Sequence, residues 1–303
     1  MVNDKFSPIA LFVYKRLAHT KQTVESLLLN AEARNSKLYI FSDAARTPRD
    51  ESAVSEVRKY IDSITGFADI IIIKQEQNKG LANSIISGVT DVLAKNETII
   101  VVEDDLLLSP FFLRYMNDAL TLYQAEKTVA SIHGYTYPLK IELPETFFLR
   151  GADCWGWATW KDRWDLFEPD SAKLLAEIQK ANLEDVFDYG GYAGNIKMLC
   201  SQISGKIDSW AVRWHAANFL ANKFTLFPGI SFVQNIGMDG GGTHSTLTDV
   251  FKIKLAAAPL IITKKQIMEN EQIVLAIKDY FKASRLSILT RVITRVRKLL
   301  NHP

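Results

Sequence analysis

Four short apolar runs recur through the first 125 residues: Ile9 to Tyr14, Leu38 to Phe41, Ile70 to Ile73 and Ile99 to Val102. Each is rich in β-branched or aromatic residues, bounded by polar positions and too short for a helix. Such runs read as strands buried on both faces. Longer segments separate them: Thr20 to Asn30 with Val24, Leu27 and Leu28 on one face, the charged stretch Pro48 to Ile64, and Lys79 to Leu93. Strands alternating with helices at this spacing predict the α/β class, an open, mostly parallel, doubly wound sheet with helices on both faces. Ligands of such sheets bind outside the carboxyl ends of the strands. That rule gathers Tyr14-Lys15-Arg16, Ser42-Asp43 and Glu103-Asp104-Asp105 on one rim, polar enough to border a nucleotide.

The fourth strand carries the strongest chemical signal. In TIIVVEDDLLLSPFF (98–112) an apolar run ends in Glu103, Asp104 and Asp105. Adjacent carboxylates at the mouth of a buried strand repel one another and are costly to desolvate unless a cation shares the site. Alternation along an extended chain sends Glu103 and Asp105 one way and Asp104 the other. A hard divalent ion that takes one or two protein carboxylates and fills its shell with phosphate oxygens fits that geometry. Ser109-Pro110 then predicts a helix start, Ser as cap and Pro in the first position. Taken alone, the triplet reads first as an acidic strand-to-helix turn.

Several classes are excluded. No GxGxxG follows the first strand and no GxxxxGK[ST] occurs, so neither a dinucleotide fingerprint nor a P-loop is present. A formal net charge of +2 argues against nucleic-acid binding. Cys154 and Cys200 have no metal-ligand spacing and suit a reducing cytoplasm. The start, MVNDKFSPIALFVYKR, with an acid and only a short apolar run, does not read as a signal peptide. No apolar segment reaches membrane-spanning length.

Beyond residue 125 the alternation ends. Val129 to His133 and Phe147 to Leu149 read as strands, and GADCWGWATWKDRWDLF follows with four of the six tryptophans. Residues 171 to 221 read as helices, Phe224 to Phe227 as a last strand, and PGISFVQNIGMDGGGTHS closes the region. No composition break marks a linker, so the second half packs on the first. Trp160 and Trp164, at i, i+4 spacing, are expected in the core; Trp155 and Trp157, expected in a loop, offer flat faces for a sugar ring. His133 and His215 are assigned no role. From 278 to 303, Leu289, Val292, Ile293, Val296, Leu299 and Leu300 share one helical face, and Arg291, Arg295 and Lys298 share the other. Such a helix lies on an anionic membrane surface through 284–303, or docks on the main domain or a second copy.

The segments VVEDDLLLSPFF (101–112), CWGWATWKDRW (154–164), IDSWAVRW (207–214) and FPGISFVQNIG (227–237), in this order, resemble the GT-A glycosyltransferases. Within them the likeness is to the inverting N-acetylglucosaminyltransferase I type and to bacterial family 2 sugar transferases, over roughly residues 8 to 245. The resemblance implies a GT-A domain over 1–270, with a nucleotide-binding half to about 125, an acceptor half over about 126–250, and a basic helix over 271–303. It implies a UDP-sugar donor, Mn²⁺ (or Mg²⁺), and a hydroxyl of a glycan as acceptor. The basic tail would make that acceptor lipid-linked, at the inner face of the membrane. Asp105 is then the metal ligand, Asp104 lies by the ribose and metal shell, and Glu103 approaches donor-sugar hydroxyls. Asp43 contacts uracil, Arg16 the diphosphate, and Tyr14, Asn78 and Lys79 border the nucleotide. Asp208 in IDSW is the catalytic base, although Ser209 stands where the eukaryotic enzyme has a second acid. Asp208 is also suited to cap helix 209–221, and Asp153 and Asp239 are rival bases. His244 in GGGTHS is a metal ligand, a diphosphate contact, or an exposed loop histidine. Two other functions use the same features: a nucleotidyltransferase making nucleotide-sugars, and a non-catalytic carbohydrate- or membrane-binding protein.

Overall fold

The computed structural model describes residues 6–238 and 251–300, with side chains as far as Arg285; Asp239 and His244 lie outside the described residues. The four apolar runs form β1 (Ile9–Val13), β2 (Lys37–Ser42), β3 (Asp69–Lys74) and β4 (Thr98–Glu103). The crossovers are α1 (Leu17–Leu28), α2 (Glu51–Ile61) and α3 (Gly80–Leu93). β1 pairs in parallel with β2 on one side and β4 on the other, and β2 with β3. Side-chain alternation explains why these runs are apolar at every position. Ile9, Leu11 and Val13 face a core with Val24, Leu27, Val57 and Ile61 of α1 and α2. Ala10 and Phe12 face the opposite core with Ile85, Val89 and Val92 of α3.

The sheet has eight strands in the order β3-β2-β1-β4-β8-β6-β9-β7. The added strands are β6 (Val129–His133), β7 (Thr146–Arg150), β8 (Trp157–Trp160) and β9 (Phe224–Pro228). β8 runs antiparallel between β4 and β6, β6 is parallel to β9, and β7 is antiparallel at the edge. The expected doubly wound, mostly parallel sheet is therefore present. Its order reverses at β1: the chain lays β2 and β3 to one side, then returns to place β4 on the other. In such sheets the crevice between those two strands is the ligand position.

Besides β8, two further strands were not expected. β5 (Leu106–Leu108) pairs antiparallel with β10 (Val233–Asn235), so the segment after the acids is a strand. The following helix, α4 (Phe112–Leu122), begins at an Phe111 cap; Ser109 instead donates its hydroxyl to the Ala256 carbonyl at 2.7 Å. The partner strand lies more than a hundred residues away, and three-residue strands leave no period to read.

The second half carries α5 (Lys161–Trp164), α6 (Ser171–Lys180), α7 (Glu184–Phe187), α8 (Asn195–Ile203), α9 (Trp210–Leu220) and α10 (Glu271–Leu300). α10 docks through Ile273 and Ile277 on Phe147, Leu149 and Phe227 of the β7–β9 edge. Among the described residues no helix is long and apolar enough to cross a membrane.

Trp157 is corrected by the structure. It lies in β8, not in a loop, is 0% exposed, and stacks at 5.3 Å on Trp210 beside Trp164 and Trp214. Gly156, between Trp155 and Trp157, disguises a buried strand of large side chains as a loop. Trp160 and Trp164 are in the core as expected. Trp157→Ala should therefore cost about 3–5 kcal/mol of stability, read as a fall in the urea midpoint. An unchanged midpoint would return Trp157 to a surface role.

Candidate functional site

The crevice at the strand-order reversal is built by the ends of β1 and β4. β1 stops at Val13, and Tyr14-Lys15-Arg16 leads directly into α1. β4 stops at Glu103, and a tight turn at Asp104-Asp105 leads into β5. That turn breaks the alternation expected from an extended chain. Asp104 and Asp105 instead converge on one guanidinium, Arg16 Nη2 donating to Asp104 Oδ1 at 2.7 Å and to Asp105 Oδ2 at 2.8 Å. Asp104 is buried and held further by the Tyr14 backbone N–H at 3.3 Å, while Thr23 of α1 donates to its carbonyl at 2.9 Å. The first crossover helix is thus tied to the fourth strand through the acids.

Charge in the crevice is unbalanced. Burial opposes the Arg16 charge, but Asp104 and Asp105 outweigh it and raise its pKa. Burial raises the pKa of Asp104 as well, against the pull of Arg16. Glu103 is pushed well above the usual carboxylate range, by desolvation first and then by Asp105 and Asp104. No described residue donates a hydrogen bond to it. Two of the three carboxylates therefore pair with one guanidinium, and the third pairs with no described cation.

The chain returns to this point from β10. Ile236 donates its N–H to the Asp105 carbonyl at 2.8 Å, and a Cβ on Gly237 would stand 2.1 Å from Asp105 Oδ2. Only glycine lets the backbone pass so close. Gly237 was not singled out in the sequence, where FVQNIG gave no sign of its distant partner. Among the described residues no group of three His, Cys, Asp or Glu side chains is arranged to hold a metal. The crevice nevertheless suits a hard cation that draws further ligands from phosphate: Asp105 Oδ1 is uncommitted, and Glu103 is a half-buried carboxylate without a donor.

Asp43, at the end of β2, is 8% exposed and saturated. Its Oδ1 accepts from Ala44 N and Lys79 N, both at 2.9 Å, and its Oδ2 from Asn78 Nδ2 and Gly80 N, both at 3.0 Å. A carboxylate has about four acceptor positions, and all are used. The N-K-G turn expected beside the nucleotide is thus anchored to Asp43, which closes the start of α3. The Tyr14 hydroxyl donates to Asp50 at 3.2 Å and accepts from Arg46 N at 3.0 Å, fixing the loop after β2 against the rim.

On the other side of Cys154 lies a cavity of about 250 Å³, lined by residues of β7, the loop Gly151–Trp155, α9 and α10. Asp153 is its carboxylate. Tyr137 donates to Oδ2 at 2.6 Å and Cys154 N to Oδ1 at 2.8 Å. Trp155 lines the cavity, as expected of a loop tryptophan, and meets Phe251 edge-on at 5.2 Å. Burial raises the Cys154 thiol well above its usual range, and the charges of Asp153, Glu103 and Asp105 reinforce it. Because β8 pairs antiparallel with β4, Trp157 opposite Val101, the loop that lines the cavity ends beside the acid-bearing end of β4.

Asp208 does not line this cavity. Its side chain is 50% exposed and accepts from Arg213 Nη2 at 2.9 Å. Nor does it cap α9: Ser209 does so, its hydroxyl accepting from Val212 N. Position by position, a serine one residue nearer the helix is simply better placed for that bond. His215, assigned nothing from sequence, lies in the cavity wall over Gly151, whose φ of 92° and missing Cβ make room for the ring.

No known protein family and no curated protein matches the chain. Solved structures match parts of it. One is the mannosyltransferase PcManGT from Pyrobaculum calidifontis in complex with GDP-Man and Mn²⁺, at 14% identity and TM-score 0.33, over 46% of this chain and 38% of that one. Another is S. aureus TarS 1-349, at 10% identity and TM-score 0.34, over 58% and 49%. A third is a UDP-glucose pyrophosphorylase complexed with UDP-glucose, at 14% identity and TM-score 0.30, over 53% and 79%. The chain spans less than half the length of the two transferase chains.

The Glu103 shift has a definite sign. An acid whose folded-state pKa exceeds its unfolded value binds more protons folded, so stability falls as pH rises from the unfolded pKa towards the folded one. Glu103→Gln should raise Tm at pH 7.5 by roughly 2 °C or more, with the gap closing near pH 4. Equal melting of both proteins at pH 7.5 would mean that Glu103 is solvated.

Proposed function

We propose that the chain is a glycosyltransferase of the N-acetylglucosaminyltransferase I or bacterial family 2 kind, transferring a sugar with inversion from UDP-sugar to a glycan hydroxyl. The observation that carries this reading is the crevice between β1 and β4, where Arg16 pairs with Asp104 and Asp105 and Glu103 pairs with no described cation. An acid-lined crevice repels a diphosphate unless a cation enters with it. Asp105 would hold a divalent ion, which when bound supplies positive charge for the departing diphosphate.

This chain's own groups do the rest. Arg16, positioned by Asp104, stabilises the charge that builds on phosphate as the bond to the sugar breaks. Glu103, without a donor of its own, accepts from donor-sugar hydroxyls. Asp43 serves the nucleotide indirectly, by fixing Asn78-Lys79-Gly80 and the loop after β2, since it has no acceptor left for uracil. The acceptor proton requires a carboxylate beyond the sugar; Asp208 is the residue implied by the resemblance, and Asp153 is taken up below. The sequence of α10 beyond Arg285, with Arg291, Arg295, Arg297 and Lys298, supports a lipid-linked acceptor at an anionic membrane.

Thermal melting with a panel of nucleotide-sugars tests the reading. A donor held only by the folded state at a hundred times its Kd adds about 2.7 kcal/mol. A Tm rise with a UDP-sugar that requires Mn²⁺ and is lost in Asp105→Ala is the expected result. No rise with any nucleotide leaves a binding protein. Release of pyrophosphate from UTP and a sugar phosphate makes the chain a nucleotidyltransferase.

A further inference from the structure

Resting on the glycosyltransferase reading, we infer that the cavity beside Asp153 is the binding site for one sugar ring of the acceptor, and that Asp153 takes the proton from its attacking hydroxyl. Four observations converge on this.

The size and lining suit a sugar. At about 250 Å³ the cavity is smaller than pockets for drug-sized ligands and fits a single ring. Trp155, Tyr189, Phe251 and Phe281 offer aromatic surface, and Asn195 and Arg150 offer polar groups between them. Flat apolar faces with polar edges are what a pyranose, apolar on its ring faces and hydroxylated at its rim, packs against.

A polar atom in the wall has no partner. His215 Nε2 is buried and unbonded, while Nδ1 lies 3.1 Å from Ala152 N and 2.8 Å from Ala152 O. Burial lowers the His215 pKa, against the Asp153 charge, so the ring is neutral. Whichever tautomer it adopts, Nε2 offers one hydrogen bond, and a sugar hydroxyl can complete it as donor or acceptor.

Asp153 is prepared to accept. Tyr137 and Cys154 N donate to one oxygen each and fix the carboxylate, and the Cys154 thiol is hydrogen-bonded to it as well, which leaves acceptor capacity for one further donor. Its side chain is 22% exposed and no described Lys or Arg pairs with it. His133, 3.9 Å away, is kept neutral by burial, and its Nε2 accepts from Trp155 N at 3.1 Å. Asp208, by contrast, is engaged with Arg213 in solvent.

The cavity also adjoins the donor crevice: β8 runs antiparallel beside β4 with Trp157 opposite Val101, so the loop Asp153–Trp155 enters β8 next to the end of β4 at Glu103. In the step that follows, the acceptor oxygen forms the bond to the anomeric carbon as its proton passes to Asp153. The carbon–oxygen bond to phosphate breaks, and its electron pair leaves with the nucleoside diphosphate.

The test uses the full chain with Mn²⁺, the UDP-sugar that raises Tm, and a panel of methyl glycosides of hexoses and N-acetylhexosamines. Saturation-transfer NMR should detect at least one glycoside on wild type and lose it in Ala193→Phe, which fills the cavity; Tm reports that this variant folds. UDP release stimulated by that glycoside should fall about 10²-fold or more in Asp153→Asn. The donor-induced Tm rise should be unchanged in the same variant, which separates this proposal from the donor reading. No bound glycoside, binding that survives Ala193→Phe, or wild type that binds donor and glycoside without releasing UDP overturns the proposal. So does retained release in Asp153→Asn with loss in Asp208→Asn.

Discussion

The contact from Arg16 to Asp104 and Asp105 holds the first half of the molecule in its working shape. It joins the residue before α1 to the turn after β4, just beyond the last backbone pairing of β1 with β4 at Phe12 and Glu103. The pair is largely shielded, so Arg16 cannot be removed without leaving two carboxylates close together in poor solvent. Loss of one partner of a buried ion pair costs several kcal/mol. The same contact sets the chemistry, because it consumes the one guanidinium and leaves Glu103 uncompensated.

Around that contact the rim is assembled by caps rather than by side chains held out for ligand. Asp43 spends its acceptor capacity on the start of α3, and Asp50 gathers Tyr14 and Lys15. The second half then closes the crevice from a distance in sequence. β10 delivers Gly237 against Asp105, and the loop before β8 delivers Asp153, Cys154 and Trp155. Rigid strands on both sides place the two regions next to each other, as a reaction between two bound molecules requires.

How much of this was legible in the chain follows from how local each signal is. β1 to β4 and their helices were read to within a few residues, because an apolar run and a helical stripe are written in consecutive residues. The rim was legible for the same reason, through the rule that ligands bind at carboxyl ends. What escaped was set by distant partners. β5 exists because β10 pairs with it, Trp157 is buried because α9 covers it, and Asp43 is saturated because the α3 start folds over it. His215 and Tyr137 acquire meaning only when β7, α9 and α10 meet around Asp153. Asp208 looked like a helix cap because a cap is a local pattern, and Ser209 satisfies that pattern one residue later.

The acid triplet was open to two readings, an ordinary turn or a charged site, and burial separates them. Acids in a solvated turn keep ordinary pKa values and cost folding nothing. Here Glu103 is raised by desolvation and by its two neighbours, and each pKa unit of such a shift is about 1.4 kcal/mol of disfavoured charge. Folding carries that cost because the core on both faces of β1 to β4 is large enough to offset it. A turn selected for stability alone would hold Gln or Ser at 103. Under the proposed function, carboxylates held rigidly at a strand-order reversal would be relieved by a cation, so the feature that weakens the fold is the one that would strengthen its grip on a charged ligand.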